Sequence, residues 1–143
     1  MDAIRAAVAT VCLLAALPAC AENWATLGSN VTASAAVDMD SVRPAEGMPD
    51  RLGAWVRYTY PMSIDCAPPR GCRASSQRVY VLVNCAAQGV AYVQRISYDL
   101  NGNLVGQTDA NLNATQSLAR PGSAEGELWR ALCPAYPDRF ERP

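Results

Sequence analysis

The sequence contains no histidine and no lysine, so arginine supplies all 12 of its basic side chains. The lack of histidine excludes histidine-based acid–base catalysis, Ser–His and Cys–His nucleophile pairs and histidine-ligated metal sites. The sequence also has no Gly-x-Ser-x-Gly motif, no P-loop and no dinucleotide-binding fingerprint. We therefore predict that the protein is not an enzyme and that it uses no cofactor.

Neither sign of charge is in excess, because 12 basic residues stand against 13 acidic ones and the formal net charge is −1. A nucleic-acid-binding protein would show a basic surplus, and a disordered acidic tail would show a run of carboxylates. The composition therefore predicts no nucleic-acid partner and an ordinary folded domain.

The longest apolar run covers residues 6–17, close to the start of the chain. About twelve apolar residues are too few to cross a bilayer as a helix, and a short run at this place is typical of a secretory signal. Ala19 and Ala21 form a small-x-small cleavage site. We predict a signal peptide at 1–21 and a single mature domain at 22–143.

A second interpretation of the same segment is a lipobox that ends at Cys20, whose acylation would anchor the protein to a membrane. Pro18 fits a lipobox poorly, so we favour cleavage after Ala21, which makes Glu22 the mature N-terminus. A membrane contact is then expected only if Cys20 is acylated instead. Both interpretations export the protein to the periplasm or the cell surface of a Gram-negative bacterium.

Four cysteines remain in the predicted mature domain, and in an exported protein four cysteines imply two disulfides. Two prolines and a glycine bend the chain between Cys66 and Cys72, which favours a local bridge between them. A bridge between Cys85 and Cys133 follows by elimination, and its longer loop should stabilise the fold by roughly 3 to 4 kcal/mol, against about 2 for the short ring. A zinc site is disfavoured, because neither pair has Cys-x₂-Cys spacing.

Apolar and polar residues alternate with period two over residues 79–85, which predicts a strand with one apolar face that includes Cys85. A second run at 90–98 follows the Gln-Gly dipeptide at 88–89, which predicts a hairpin with a tight glycine turn. An Asn-Gly pair within 99–103 predicts another tight turn and a third strand of a meander.

Further strands are predicted at 24–28, within 31–42 and at 54–61. A loop rich in proline and glycine is predicted at 43–50, and a polar connection that leads away from the sheet at 107–118.

A helix is predicted near the C-terminus, with Ser123 as its N-cap and Pro134 just after its end. Trp129 and Cys133 lie on its apolar side, so the helix should pack on the sheet and place Cys133 against Cys85. The expected fold class is α+β: an antiparallel, meander-type sheet with a C-terminal helix on one face, held by disulfides.

The mature chain resembles the bacterial surface-adhesin protein E-like family. The residues that carry the resemblance span nearly all of 24–133, and they are Trp24-Ala-Thr-Leu-Gly28, Asp38-Met-Asp40-Ser41-Val42, the strand around Trp55, Asn84-Cys85, Tyr98-Asp99-Leu-Asn-Gly102, Pro121-Gly122-Ser123, Leu128-Trp129 and Cys133. The resemblance implies a small exported α+β domain. It also implies adhesion at the bacterial surface and binding to host extracellular-matrix and serum proteins.

Two acidic motifs suggest metal or catalytic sites, and both are better explained by structure. The segment that starts at Asp99 has its glycine at the fourth position, whereas a calcium loop of the EF-hand type needs it at the sixth. Asp38 and Asp40 share one strand face, but no nucleophile motif or ligand set accompanies them. We predict a hairpin turn for the first motif, solvated strand residues for the second, and no metal site.

The helix can cover only one face of the sheet, so we predict a binding patch on the other face, made of Trp55, Arg57, Tyr80 and Tyr92. Clusters of aromatic and arginine side chains are typical of protein–protein hot spots. The alternative is that these side chains are shielded, either by the strand within 31–42 or by the connection at 107–118.

The favoured function is a non-catalytic binding module whose partner is a matrix, serum or envelope protein. A homodimer formed through sheet surfaces or edges would use the same patch. The second hypothesis is a periplasmic inhibitor or accessory subunit that acts on another protein.

Overall fold

The computed structural model describes residues 23–66 and 71–136. Six strands follow one another in an antiparallel meander, and a short seventh strand pairs with the fifth. The helix α1 follows the strands, so the predicted α+β fold is confirmed. The elements are β1 (Trp24–Ser29), β2 (Ser34–Ala45), β3 (Met48–Asp65), β4 (Arg73–Asn84), β5 (Gly89–Tyr98), β6 (Leu104–Gln107), β7 (Ser117–Leu118) and α1 (Ala124–Leu132).

The main core lies between α1 and one face of the sheet, which we call the near face. Alternation along the central strands sends valines to this face, and the apolar side of α1 meets them. Its fully buried members include Val56, Val81, Val83 and Leu128. The face away from the helix is called the far face below.

A disulfide joins the end of β4 to the end of α1 on the near face. Cys85 and Cys133 lie 5.5 Å apart between their Cα atoms and are both buried. The indole Nε1 of Trp129 donates a hydrogen bond of 3.1 Å to the carbonyl oxygen of Cys85. The predicted pairing is confirmed, and together the two interactions fix the helix to the sheet.

The second predicted disulfide, between Cys66 and Cys72, is also confirmed, with the Cα atoms 5.6 Å apart. It closes the tip of the β3–β4 hairpin, where the backbone nitrogen of Cys66 also donates to the carbonyl oxygen of Cys72 at 3.2 Å.

The start of α1 follows the prediction. The hydroxyl oxygen of Ser123 accepts a hydrogen bond from the backbone nitrogen of Gly126 at 3.0 Å, and Glu125 and Glu127 lie in the first turn. At the other end, the backbone nitrogen of Cys133 donates to the carbonyl oxygen of Trp129. The side-chain cap satisfies a backbone donor that the helix itself leaves open, and the two carboxylates in the first turn interact favourably with the helix dipole.

The segment at 43–50 was predicted as a loop, and this is wrong. Strands β2 and β3 continue through it and are joined by a turn at Glu46 and Gly47, where Gly47 has a φ of 71°. Pro44 is tolerated because β1 pairs with β2 only over residues 34–38, so Pro44 has no neighbour on its outer side.

The turn between β4 and β5 also differs from the prediction. It covers four residues, and the positive φ of 54° belongs to Gln88, not to the glycine that follows. The buried Gln88 side chain donates from Nε2 to the carbonyl oxygen of Ala119 at 3.1 Å. Gly89 begins β5, and a side chain there would collide with Gln116.

The polar connection at 107–118 was predicted to lead away from the sheet, and this is wrong. It runs along the free edge of β5. The backbone nitrogens of Thr108 and Asn111 donate to the carbonyl oxygens of Arg95 and Val93, each at 2.9 Å. The connection then forms β7, which pairs with the start of β5. It thus satisfies backbone groups that an open sheet edge would expose.

Candidate binding surface

Strand pairing brings aromatic and cationic side chains together on the far face. Trp24, Trp55 and Tyr80 lie in one cross-strand row, because Trp24 is opposite Asp38, Asp38 is opposite Trp55, and Trp55 is opposite Tyr80. In the next row, Arg57 lies directly opposite Arg78. These five residues, each partly exposed, are called the tryptophan–arginine patch: Trp24, Trp55, Arg57, Arg78 and Tyr80.

The two guanidinium groups of the patch lie over the same ring. The central carbon of Arg57 is 4.4 Å from the centroid of the Trp24 ring, and that of Arg78 is 5.6 Å from it. Both distances fall within the range of cation–π attraction. These contacts therefore help to hold two flexible side chains beside the Trp24 ring.

The aromatic half of the patch is fixed by a glycine. The ring of Tyr80 packs so closely over Gly53 that a Cβ atom at Gly53 would collide with the phenol oxygen. Trp55 then packs against Tyr80, with ring centroids 5.2 Å apart and planes tilted by 52°. Such tilted pairs are favourable arrangements of aromatic rings. Trp55 and Tyr80, the aromatic pair of the patch, thus lie on β3 and β4, the two central strands of the meander.

The shielding alternative holds for one part of the far face. Leu82, Ala91 and Val93 form a second buried cluster there with Ala45, and Ala114 of the 107–118 connection packs against it. Tyr80 lies at the border of this cluster. The connection therefore covers the far face beside β5, while the tryptophan–arginine patch lies on β1, β3 and β4.

Tyr92 does not belong to the patch, which corrects the sequence prediction. Tyr80 pairs with Gln94 and Val81 pairs with Tyr92, so Val93 is an extra residue of a β-bulge. Tyr92 lies before the bulge, and its pairing with the near-face residue Val81 places it on the near face, where its hydroxyl donates to Glu125 Oε1 of α1 at 3.0 Å. Trp55, Arg57 and Tyr80 are brought together as predicted.

Tyr92 belongs instead to a polar cluster under the start of the helix. Burial raises the pKa of the Tyr92 hydroxyl, and the neighbouring Tyr58 and the Glu125 carboxylate raise it further. Burial also raises the pKa of Tyr58, although its hydrogen bond to Tyr92 acts in the opposite direction. Both hydroxyls are therefore neutral at ordinary pH and can bridge the sheet to the helix.

A cavity of about 320 Å³ lies beside this cluster, between the β1–β2 hairpin and the start of α1. Its lining is made mostly of small side chains and is more apolar than polar, with Leu27, Asn30, Tyr58 and Glu127 among the lining residues. Asn30 is committed to its own turn, because its side-chain oxygen accepts hydrogen bonds from Thr32 and Ala33.

The two acidic motifs are structural. Asp99 Oδ1 accepts hydrogen bonds from the backbone nitrogens of Asn101 and Asn103, at 2.9 and 2.8 Å, and Asn103 donates a side-chain bond as well. The bonds from Asn103 lower the pKa of the Asp99 carboxyl. Asp38 Oδ1 accepts from the backbone nitrogen of Asp40.

Within residues 23–66 and 71–136, no group of three or more potential ligand side chains could hold a metal ion. The same residues include no helix that is long and apolar enough to cross a membrane. Cys20 and the predicted cleavage site lie outside the described residues.

Two members of the patch, Trp24 and Arg78, were missed at the sequence level. Arg78 could have been found, because it lies directly before the predicted strand and two residues before Tyr80, so the same alternation gives both residues one face. Trp24 could not, because its position depends on the pairing of β1 with β2 across a bulge between Thr26 and Gly28.

The comparisons with known proteins agree with the fold. The family model described as surface-adhesin protein E matches residues 24–134. A structure of Haemophilus influenzae protein E is similar, with a TM-score of 0.55 at 19% sequence identity over 79% of this chain and 85% of that one. A crystal structure of protein E from non-typeable Haemophilus influenzae has a TM-score of 0.53 at 18% identity, over 84% of this chain and 81% of that one. No curated protein matches the sequence.

Proposed function

Because the chain belongs to the surface-adhesin protein E family, we propose that it is a non-catalytic binding module of the cell surface that holds a protein ligand through the tryptophan–arginine patch. The observation that carries this proposal is the cluster of three aromatic rings and two guanidinium groups on the far face, which the helix leaves uncovered. Tryptophan, tyrosine and arginine are the residues enriched in binding hot spots.

The ligand is a protein of the host matrix or serum, or a protein of the producing cell's own envelope. Adhesin family membership favours the host proteins. A second copy of the chain could occupy the same face, and sedimentation of the purified protein separates this homodimer from a complex with another protein. Nothing in the tryptophan–arginine patch resembles a catalytic constellation, which supports a role in binding alone.

The test is to measure binding of the purified 22–143 domain to matrix, serum and envelope proteins, for the natural sequence and for Trp55→Ala, Arg57→Ala and the double variant. We expect the double variant to lose at least about tenfold in affinity, since hot-spot truncations cost about 2 kcal/mol or more. Leu100→Ala is the matched control, because Leu100 is 89% exposed at the β5–β6 turn, away from the patch.

Folding is measured on the same samples, by thermal unfolding. A binding loss with an unchanged midpoint supports the proposal. Unfolding of Trp55→Ala together with full binding by Arg57→Ala would show that these side chains are part of the core and would overturn it.

A further inference from the structure

We infer that the cavity between the β1–β2 hairpin and the start of α1 binds a lysine side chain of a protein partner. The cavity lies on the near face, so it is a second site, separate from the tryptophan–arginine patch. The inference rests on the proposed function in one respect, because a protein partner is what makes the ligand a lysine side chain and not a free alkylamine.

The cavity has the size and the access that one side chain requires. Its volume of about 320 Å³ lies at the lower end of the range for small-ligand sites, roughly 300 to 1,000 Å³. Every described residue that lines it is partly or fully exposed, so the cavity opens to solvent. Small side chains leave this space free, and at Gly28 no atom lies within 4 Å of the position that a Cβ would take.

The apolar part of the lining suits the stem of a lysine. It includes Leu27, Ala33, Ala35 and Ala124. Lysine buries its hydrocarbon stem along apolar surface of this kind and keeps its ammonium group against polar atoms or water. The chain itself contains no lysine, so a second copy of it cannot supply this group.

Two hydroxyl groups in the lining are left with acceptor capacity only. The Tyr92 hydroxyl donates its one proton to Glu125, so in the hydrogen bond between the two tyrosines Tyr58 is the donor. Any further hydrogen bond to Tyr58 must therefore come from a ligand donor. The Ser123 hydroxyl likewise donates to the carbonyl oxygen of Arg120 at 2.8 Å, and it already accepts from Gly126.

Glu127 adds a negative charge beside these acceptors. Among the described residues that line the cavity, it is the only charged one. Its Oε1 accepts from Nη1 of Arg130 at 3.1 Å, and both side chains are partly exposed. A carboxylate has room for about four donors, so this exposed pair still leaves sites for an ammonium group. An ammonium group brings three donors and a positive charge, which matches a lining of acceptors with one carboxylate.

An anionic ligand is the alternative, because the start of a helix carries a partial positive charge. The carboxylates of Glu125 and Glu127 in the first turn already offset that charge. No arginine is present among the described lining residues to hold an anion. The balance of charge at the cavity therefore favours a cation.

The test is an NMR titration of the purified, isotopically labelled protein with N-acetyl-lysine methylamide. N-acetyl-norleucine methylamide is the matched ligand, because it keeps the alkyl stem and lacks the amine. We expect the backbone signals of Gly28, Ser34 and Ala124 to shift, and the lysine ligand to bind at least about fivefold more tightly than the norleucine ligand. Glu127→Gln should abolish that difference, as expected for the loss of a partly exposed charge pair.

Two kinds of variant complete the test. Asp109→Asn is the matched control for Glu127→Gln, because it removes one exposed carboxylate from the connection beside β5, away from the cavity, and it should bind the lysine ligand like the natural protein. Ala35→Leu and Ala124→Leu each fill part of the cavity and should abolish the shifts. Thermal unfolding of the same samples shows which variants are folded, and either folded variant suffices.

Several results would overturn the inference. They are equal binding of the two matched ligands, tighter binding of N-acetyl-glutamate methylamide, full lysine binding by Glu127→Gln or by a folded cavity-filling variant, and the absence of any shift. Binding of free butylamine without binding of the lysine ligand would also overturn it.

These results are independent of the tryptophan–arginine patch, because the ligands and variants involve none of its residues. Lysine binding in the cavity, together with full protein binding by Trp55→Ala with Arg57→Ala, would refute the proposed use of the patch and support the cavity.

Discussion

Tyr92 shows how a single hydroxyl can tie the helix to the sheet. It donates to Glu125 on α1, and its pKa is raised first of all by burial. In the unfolded chain a tyrosine loses its proton at a pH of about 10. Above that pH, loss of the Tyr92 proton stabilises the unfolded state relative to the folded state, whose tyrosine keeps its proton to a higher pH. The stabilising contribution of Tyr92 is therefore complete below pH 10 and is lost as the pH rises beyond it.

We expect Tyr92→Phe to flatten this alkaline decline in stability. The substitution also removes the hydrogen bond to Glu125, so it should lower the free energy of unfolding by about 1 kcal/mol at neutral pH. Urea unfolding between pH 7 and pH 11 measures both effects, with Tyr136→Phe as the control, because Tyr136 is 48% exposed and lies after the helix. An equally steep decline in Tyr92→Phe would show that other groups cause it.

Gly53 is the residue on which the aromatic half of the patch depends. In Gly53→Ala the new methyl group would collide with the end of the Tyr80 side chain, so the ring must rotate away from Trp55. We expect a loss of about 1 kcal/mol in the free energy of unfolding and a shift in tryptophan fluorescence. Gly28→Ala is the matched control in an edge strand, because no atom lies within 4 Å of the added carbon. Unchanged fluorescence in Gly53→Ala would contradict the packing described.

The residues that sequence reasoning placed correctly lie on two strands that pair without interruption, and the misplaced residue lies on the next strand. Trp55, Arg57 and Tyr80 share the far face because β3 and β4 pair without interruption between them. Tyr92 was misplaced because the pairing of β4 with β5 was not assigned from the sequence. Tyr92 pairs with Val81 and lies two residues after Val90, and both valines belong to the near-face core, whereas the bulge at Val93 comes only after Tyr92.

At the scale of whole elements, the full length of β2 and β3 could not be predicted, because Pro44 and Pro49 were taken to mark a loop. Pro61 shows that a strand of this sheet can contain a proline. Pro61 lies within β3, beyond the residues that pair with β2 and before the pairing with β4 resumes at Ile64. A proline at such a place removes no ladder hydrogen bond. The helix was easier to predict, since its cap, its acidic first turn and its apolar side all lie within one short segment.

The two disulfides act on different elements, and their removal should have different effects. The bridge between Cys85 and Cys133 closes 48 residues and fixes α1 to β4, whereas the bridge between Cys66 and Cys72 spans 6 residues at a hairpin tip. Replacing the first pair by alanine should lower the free energy of unfolding by roughly 3 to 4 kcal/mol, and replacing the second by about 2. Urea unfolding of the two double variants tests this order, and a larger loss at the hairpin tip would contradict it.

For the whole molecule, we propose that export removes residues 1–21 and leaves Glu22 as an unmodified N-terminus. The small residues Ala19 and Ala21 suit a general signal peptidase, and Pro18 disfavours recognition as a lipobox. Intact-mass spectrometry of the protein recovered from the cell envelope should give the mass of residues 22–143 with two disulfides. A mass that includes an acylated Cys20 would show that the protein is lipid-anchored instead.

We propose that the whole chain acts at the cell surface by binding through the far face of its sheet. This is tested most directly by expressing the full chain in a Gram-negative host and measuring the attachment of these cells to surfaces coated with matrix or serum proteins. The amount of protein at the surface is measured with an antibody for each strain. The matched strains carry an empty vector, the double variant Trp55→Ala with Arg57→Ala, or the control Leu100→Ala.

We expect the natural chain and Leu100→Ala to raise attachment above the empty vector. The double variant, displayed in equal amount, should fall back to the level of the vector. Equal attachment by the double variant, or no attachment by the natural chain although it is present at the surface, would contradict the claim.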